Sequence, residues 1–137
     1  MATKCVIVVN WNSGPYLRKC LRAVLNQSVP IEKIIVVDNA STDASLLVTE
    51  DLLPQVQLIQ LTHNAGFAAG NNLAVKVADG CEWIAFLNPD AFPEPDWLER
   101  LRAFKFDAGV SLLKFGDIRR RARHARDRIY YRAVHGV

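Results

Sequence analysis

Strand-like apolar runs alternate with helical patterns along most of this chain. Cys5 to Val9 is a continuous apolar run rich in Val and Ile, which predicts a strand covered on both faces. Leu17, Cys20, Leu21, Val24 and Leu25 follow at helical spacing and predict a helix with one apolar face. Asn12 or Ser13 is placed to cap it, and Pro15 suits its first turn. Ile34 to Val37 predicts a second strand, ending at Asp38. A second helix is expected next, capped by Ser41 or Thr42, with Asp43 in its first turn. Leu46, Leu47 and Leu53 would form its apolar side and Pro54 its stop.

Val56 to Leu61 alternates apolar and polar positions, the pattern of a half-exposed, edge-like strand. A loop over 62–66 leads into a third predicted helix, Phe67 to Ala78, which Gly80 can terminate. Trp83 to Leu87 predicts another buried strand, followed by the turn Asn88-Pro89-Asp90 and a fourth helix over about 95–104. This β-α-β-α-β-α-β-α order with short connections means an α/β fold, a mainly parallel sheet flanked by helices. Beyond Phe104 the pattern weakens. Val110 to Leu113 reads as one more strand, and Arg119 to Arg132 holds seven arginines with only a thin apolar face.

Composition sharpens that break. The 137 residues suit one domain. Residues 1–104 carry 8 basic and 11 acidic side chains, a net of −3, whereas residues 105–137 carry 9 and 3, a net of +6. The expected organisation is therefore an α/β portion over 1–104 and a basic, Arg-rich tail over 105–137. No apolar run approaches the roughly 20 residues of a membrane span, and the first residues lead straight into a strand-like run without a signal peptide. The spacing of Cys5, Cys20 and Cys81 matches neither a zinc site nor a disulfide framework. Cys5 and Cys20 fall on apolar positions, so buried free thiols and a reducing cytoplasm are expected.

Polar clusters sit where the strands end, and ligands of open α/β sheets bind at such ends. Asp90 suits a divalent cation carrying a diphosphate, because Mg²⁺ or Mn²⁺ takes hard oxygen ligands and often only one or two carboxylates. Asn88 can accept from a ribose hydroxyl or a metal-bound water, while the same tripeptide also reads as a structural Asx turn. Asp38 can accept from a base N–H or a ribose hydroxyl, or can cap the following helix. Trp11 either stacks on a base or packs under the sheet edge, and packing is the expectation for a Trp alone. The loop from Asn64 to Gly66 can approach a phosphate or sugar at a helix N-terminus. Asn71 and Asn72, poor helix formers inside a predicted helix, point to a face that meets something polar. Neither G-x-G-x-x-G after the first strand nor a P-loop is present. His63 reads as a loop residue.

Four segments stand in order: Val6 to Asn12, Ile34 to Asp43, Asn64 to Asn72, and Phe86-Leu87-Asn88-Pro89-Asp90. Together they resemble the family 2 glycosyltransferases, especially the rhamnosyltransferase-like branch, over roughly residues 4–104. The resemblance implies a GT-A fold, Rossmann-like, as in nucleotide-diphospho-sugar transferases, here incomplete at the C-terminus. It implies that Asp38 contacts the base or ribose and that Asn10 to Asn12 closes around the nucleoside. The Asn64 to Asn72 segment, including Gly66 and Asn71, would line the donor site. Asn88-Pro89-Asp90 would stand at the family's D-x-D, with Asp90 the metal ligand and Asn88 replacing its first Asp.

The implied reaction is inverting transfer of a sugar from a nucleoside diphosphate sugar to a glycan or lipid-linked acceptor in cell-surface polysaccharide assembly, with Mg²⁺ or Mn²⁺. The general base is expected well after the D-x-D. The carboxylates there, Asp107, Asp117 and Asp127, match no base motif. The tail fits either a truncated or frame-shifted product of a longer gene or a short paralogue.

Two other readings stand beside transfer: a non-catalytic nucleotide-sugar-binding domain, and an interaction module using the arginine tail. The acidic balance of residues 1–104 argues against nucleic acid as a partner. Anionic lipid at the inner membrane face remains a partner for the tail.

Overall fold

The computed structural model describes residues 3–103 and 112–114. The arginine run at 119–132 and the three tail carboxylates lie outside them. Five strands form one sheet in the order β3-β2-β1-β4-β5. They are β1 (Lys4–Asn10), β2 (Lys33–Asp38), β3 (Gln57–Gln60), β4 (Trp83–Leu87) and β5 (Leu112–Lys114). The first four are parallel, and β5 runs antiparallel beside β4. The helices are α1 (Tyr16–Leu25), α2 (Phe67–Val77) and α3 (Trp97–Ala103). The expected α/β architecture is therefore present, with β3 at one edge. No helix among the described residues is long and apolar enough to cross a membrane.

The central strand shows why its run is apolar throughout. Val6 and Val8 face one layer, with Leu17, Cys20, Leu21 and Val24 of α1 and Leu98 of α3. Cys5, Ile7 and Val9 face the other, with Ala74 and Val75 of α2. A strand with helices on both faces has no polar side to spare. Leu17, Leu21 and Val24 are 0–1% exposed, and burying each such side chain contributes about 1.5–3 kcal/mol. The chain leaves β1 towards β2 and β3, then crosses through α2 to β4 on the other side of β1. The gap between β1 and β4 is thus the switch point of the sheet, where its parallel order reverses.

Several local expectations are corrected. The second helix is absent: only two 3-10 turns, Leu47–Thr49 and Leu53–Gln55, join β2 to β3. The reason is local competition, since the polar side chains over 38–45 bond to nearby backbone and hold it away from helical geometry. Leu46 still packs on the α1 layer, while Leu47 stays 67% exposed. Neither Asn12 nor Ser13 caps α1 through its side chain. The fourth predicted helix begins at Trp97 rather than Pro95, and the last strand covers Leu112–Lys114.

Cys5 is not a free thiol. It is bonded to Cys81, with Cα atoms 6.0 Å apart and a sequence separation of 76. Pairing of β1 with β4 brings them together, which spacing along the chain does not reveal. Cys20 is free and buried, as expected.

Candidate functional site

The C-terminal ends of β1, β2 and β4 lie side by side along one edge of the sheet. Asn10 pairs in register with Asp38, and Val8 with Leu87, so the Asn88-Pro89-Asp90 turn rises next to the end of β1. The polar clusters that follow three separate strands in sequence are thus neighbours in space.

On the β1/β2 side the polar groups are interlocked. Asn10 is fully buried, and Asp38 and Asn39 are nearly so. The Asn10 amide donates to Asp38 Oδ1 at 2.9 Å and to Ser45 Oγ at 2.9 Å, with Ser41 Oγ at 3.2 Å. Ser41 closes on Asp38 through its hydroxyl (2.7 Å) and its backbone N–H (3.1 Å). Asn10 Oδ1 accepts from the Ser13 hydroxyl. A carboxylate this deep needs several donors to offset its lost hydration. Asp38 therefore braces the turn that follows it, a role close to the capping alternative although no helix follows.

The loops beyond these strands are tied to each other. Asn12 Oδ1 accepts from the N–H groups of Thr42 (2.8 Å) and Asp43 (3.2 Å). Asp43 in turn accepts from the Gly14 N–H at 2.8 Å and from the Ser45 hydroxyl at 2.6 Å. Burial works to raise the Asp43 pKa, but hydrogen bonds from the Ser45 hydroxyl and amide and the Gly14 amide outweigh it and hold the carboxyl below its ordinary range. Asn12 and Ala40 both sit in the left-handed region, at φ +47° and +57°. For Ala this costs about 1–2 kcal/mol, and the surrounding bonds hold it there. Trp11, between these loops, is 57% exposed rather than packed under the sheet edge.

A third segment joins from α2. Asn64 Oδ1 accepts from the Gly66 N–H at 2.9 Å, so Asn64 shapes its own loop. Gly66 precedes the helix at φ +89°, a conformation that suits glycine. Asn71 is buried and turned into its own helix, donating to Phe67 O at 3.0 Å. Among the described side chains, Asn72 Oδ1 is buried without a hydrogen-bond partner.

The β4 side is different. Asn88 to Ala91 is a tight turn closed by the Ala91 N–H donating to Asn88 O at 3.0 Å. Pro89 stands at the second position, where its fixed φ is suited. Beneath it the Cys20 thiol lies 3.6 Å from the same carbonyl. Burial, with the nearby Asp90 charge adding to it, pushes that thiol up to about 12. Phe92, two residues on, is exposed and meets Tyr16 with ring centroids 6.0 Å apart. Asp90 itself is exposed.

No group of three or more His, Cys, Asp or Glu among the described residues is arranged to hold a metal. Asp90 alone fits the one-carboxylate arrangement, in which phosphate oxygens and waters complete the shell of a hard cation.

Sequence reasoning gave Ser45 and Asn39 no role of their own and took Ser41 for a helix cap. All three carry as much of this edge's bonding as the residues singled out from sequence. The only signal was a density of short polar residues just after an apolar strand.

The chain is similar to known proteins. The succinoglycan biosynthesis protein ExoO of Rhizobium meliloti is 33% identical over 96 residues, covering 69% of this chain and 27% of that protein. The crystal structure of Staphylococcus aureus TarS 1–349 in complex with UDP-GlcNAc superposes with a TM-score of 0.65 at 29% identity, over 74% of this chain and 30% of that one. The mannosyltransferase PcManGT of Pyrobaculum calidifontis, in complex with GDP-Man and Mn²⁺, gives 0.63 at 27% identity, over 78% of this chain and 33% of that one. These solved neighbours are glycosyltransferases of the GT-A fold. The chain spans less than half the length of such curated relatives. Residues 5–129 match the family described as "Glycosyl transferase family 2", past the change in composition near 105. The chain belongs to glycosyl transferase family 2.

Proposed function

We propose that this chain is the donor-binding portion of an inverting glycosyltransferase, with the nucleoside diphosphate sugar lying along the ends of β1, β2 and β4. The observation that carries the reading is the meeting of Asn10, Asp38 and Asn88-Pro89-Asp90 at the switch point of a parallel sheet. The β1/β2 loops and the Asn64–Gly66 loop form the nucleoside side, and exposed Trp11 offers a ring for the base to stack on. Asp90 would hold a divalent cation, Mg²⁺ or Mn²⁺, together with the diphosphate, and that cation would supply charge neutralisation at the leaving group. The Mn²⁺ in the mannosyltransferase structure supports that assignment.

An acceptor hydroxyl attacks the anomeric carbon, the nucleoside diphosphate departs, and a carboxylate base takes the hydroxyl proton. The acceptor is a glycan or lipid-linked sugar of cell-surface polysaccharide, a reading supported by the succinoglycan relative. The Asn88-Pro89-Asp90 motif supports the rhamnosyltransferase-like branch. The protein works in the cytoplasm at the inner membrane face, its arginine-rich tail against anionic lipid.

A thermal-shift titration with UDP, dTDP and GDP, with and without Mn²⁺, tests the donor site beside Asp90→Ala. The expected result is a metal-dependent rise in melting temperature for one nucleotide, lost in Asp90→Ala. A cooperatively melting protein that responds to none of them overturns the proposal. Release of a labelled sugar to an acceptor or to water separates transfer from binding alone.

A further inference from the structure

Asn39 follows the braced Asp38 and belongs to none of the roles above. It is 2% exposed. Its backbone N–H donates to Asn10 O at 2.8 Å, which ties the end of β2 to the end of β1. Its side chain spans to a different element. Nδ2 donates to Gly66 O at 3.1 Å, and Oδ1 accepts from the Ala65 N–H at 3.3 Å. A carboxamide carries a donor and an acceptor side by side, as a peptide group does. Asn39 therefore pairs with the backbone of Ala65 and Gly66 much as a neighbouring strand would. The two partners also fix which end of the carboxamide faces which group.

The helix beyond is drawn close to this clasp. A Cβ built on Gly70, one turn into α2, would stand 3.4 Å from Asn39 Nδ2 and 3.1 Å from Val9 Cγ1. Gly70 thus lets the first turn of α2 settle onto β1 and Asn39. Gly66, at φ +89°, turns the chain from the loop into that helix. One buried side chain accordingly joins the ends of β1 and β2 to the loop that opens α2.

We propose that Asn39 is a positioning residue for the nucleotide site, holding the Asn64–Gly66 loop at its place through its carboxamide. The inference rests on the donor-site reading above for what the loop contacts, but not for the clasp itself. Its chemical content is specific. Asp has nearly the same shape but sets a second acceptor against Gly66 O, so it breaks the clasp that Asn makes.

The test combines amide hydrogen exchange with nucleotide titration on this chain, comparing wild type, Asn39→Asp, Asn39→Ala and Val24→Ala. Val24 lies in the opposite layer and calibrates a general loss of stability. In Asn39→Ala the Ala65 amide loses its acceptor and is expected to exchange about tenfold faster or more, the scale of one lost hydrogen bond. The Gly66 amide, held by Asn64 in the same loop, speeds up as the loop loosens, and Asn39→Asp acts in the same direction through repulsion at Gly66 O. Affinity for the nucleotide that wild type binds best falls by a similar factor. Val24→Ala moves neither reading beyond what its lower melting temperature accounts for. If Asn39→Asp does not fold, Asn39→Ala, which places no oxygen against Gly66 O, carries the comparison.

Unchanged exchange at Ala65 and Gly66 overturns the clasp whatever the nucleotide does. Faster exchange with unchanged nucleotide affinity overturns the positioning role. A wild-type chain that binds no nucleotide, with faster exchange in the variants, supports the clasp and overturns the donor-site reading and with it the positioning role.

Discussion

The two sides of the strand-end edge are built on opposite terms. On the β1/β2 side, Asn10, Asp38, Ser41, Ser45, Asn12 and Asp43 spend their polar atoms on one another and on nearby backbone. On the β4 side, one turn bond and one buried thiol hold a loop whose carboxylate stands in solvent. The difference teaches where ordering is supplied in advance. The first side is set by folding, so a ligand bound there would incur little ordering cost. The second presents a charged group with room for a partner from outside. A pre-set shape on one side and an exposed charge on the other would suit a ligand with a flat, neutral end and a highly charged one.

The largest expected effect that sharpens the contrast is on stability. Asn10→Ala strips Asp38 and Ser45 of a buried donor, and is expected to cost about 3 kcal/mol, the upper range for leaving buried polar groups unpaired. Urea denaturation measures it, and a cost below about 0.5 kcal/mol would break the comparison, being that of an ordinary surface change. Asp90→Ala is the mirror case. Its unfolding free energy stays within about 0.5 kcal/mol of wild type. The metal-dependent stabilisation by nucleotide, about 2.7 kcal/mol at a hundredfold excess over Kd, disappears.

Cys20→Ala is smaller, at about 1 kcal/mol for one weak bond and a little packing. It should speed exchange at the Ala91 amide while leaving Thr42 and Asp43 alone, since the thiol's hydrogen bond goes to the β4 turn. The smallest effect is in acid. The folded Asp43 pKa is depressed, so its contribution is full above the unfolded value near 3.9 and is lost as pH falls through the folded one. Asp43→Asn should flatten the stability profile below about pH 4, and an unchanged profile would remove Asp43 from the brace.

Much of the fold was legible because both helix and strand leave a period. β4 was predicted residue for residue over Trp83–Leu87, and α1 and α2 within a residue or two. The failed helix after β2 shows the limit. Ser, Thr and Asp start helices and also break them, and only the partners they find decide between the two. Trp11 shows another, for an aromatic after a strand carries no mark of whether anything covers it. The site was half legible. Which strand ends carry polar residues is written along the chain, but that Asn10 donates to Asp38 across two strands is not.

The sequence by itself determined the layers, because an apolar run must be covered and a helical stripe must cover something. It also determined that polar clusters would end the strands, since the turns there need short hydrogen-bonding side chains. Only the tertiary structure decided which clusters meet. The order β3-β2-β1-β4 sets the Asn88-Pro89-Asp90 turn next to the end of β1, and joins Cys5 to Cys81. It also decided what each polar atom is for. A side chain's role depends on the donors and acceptors within about 3 Å of it, and those come from parts of the chain that the local sequence does not name.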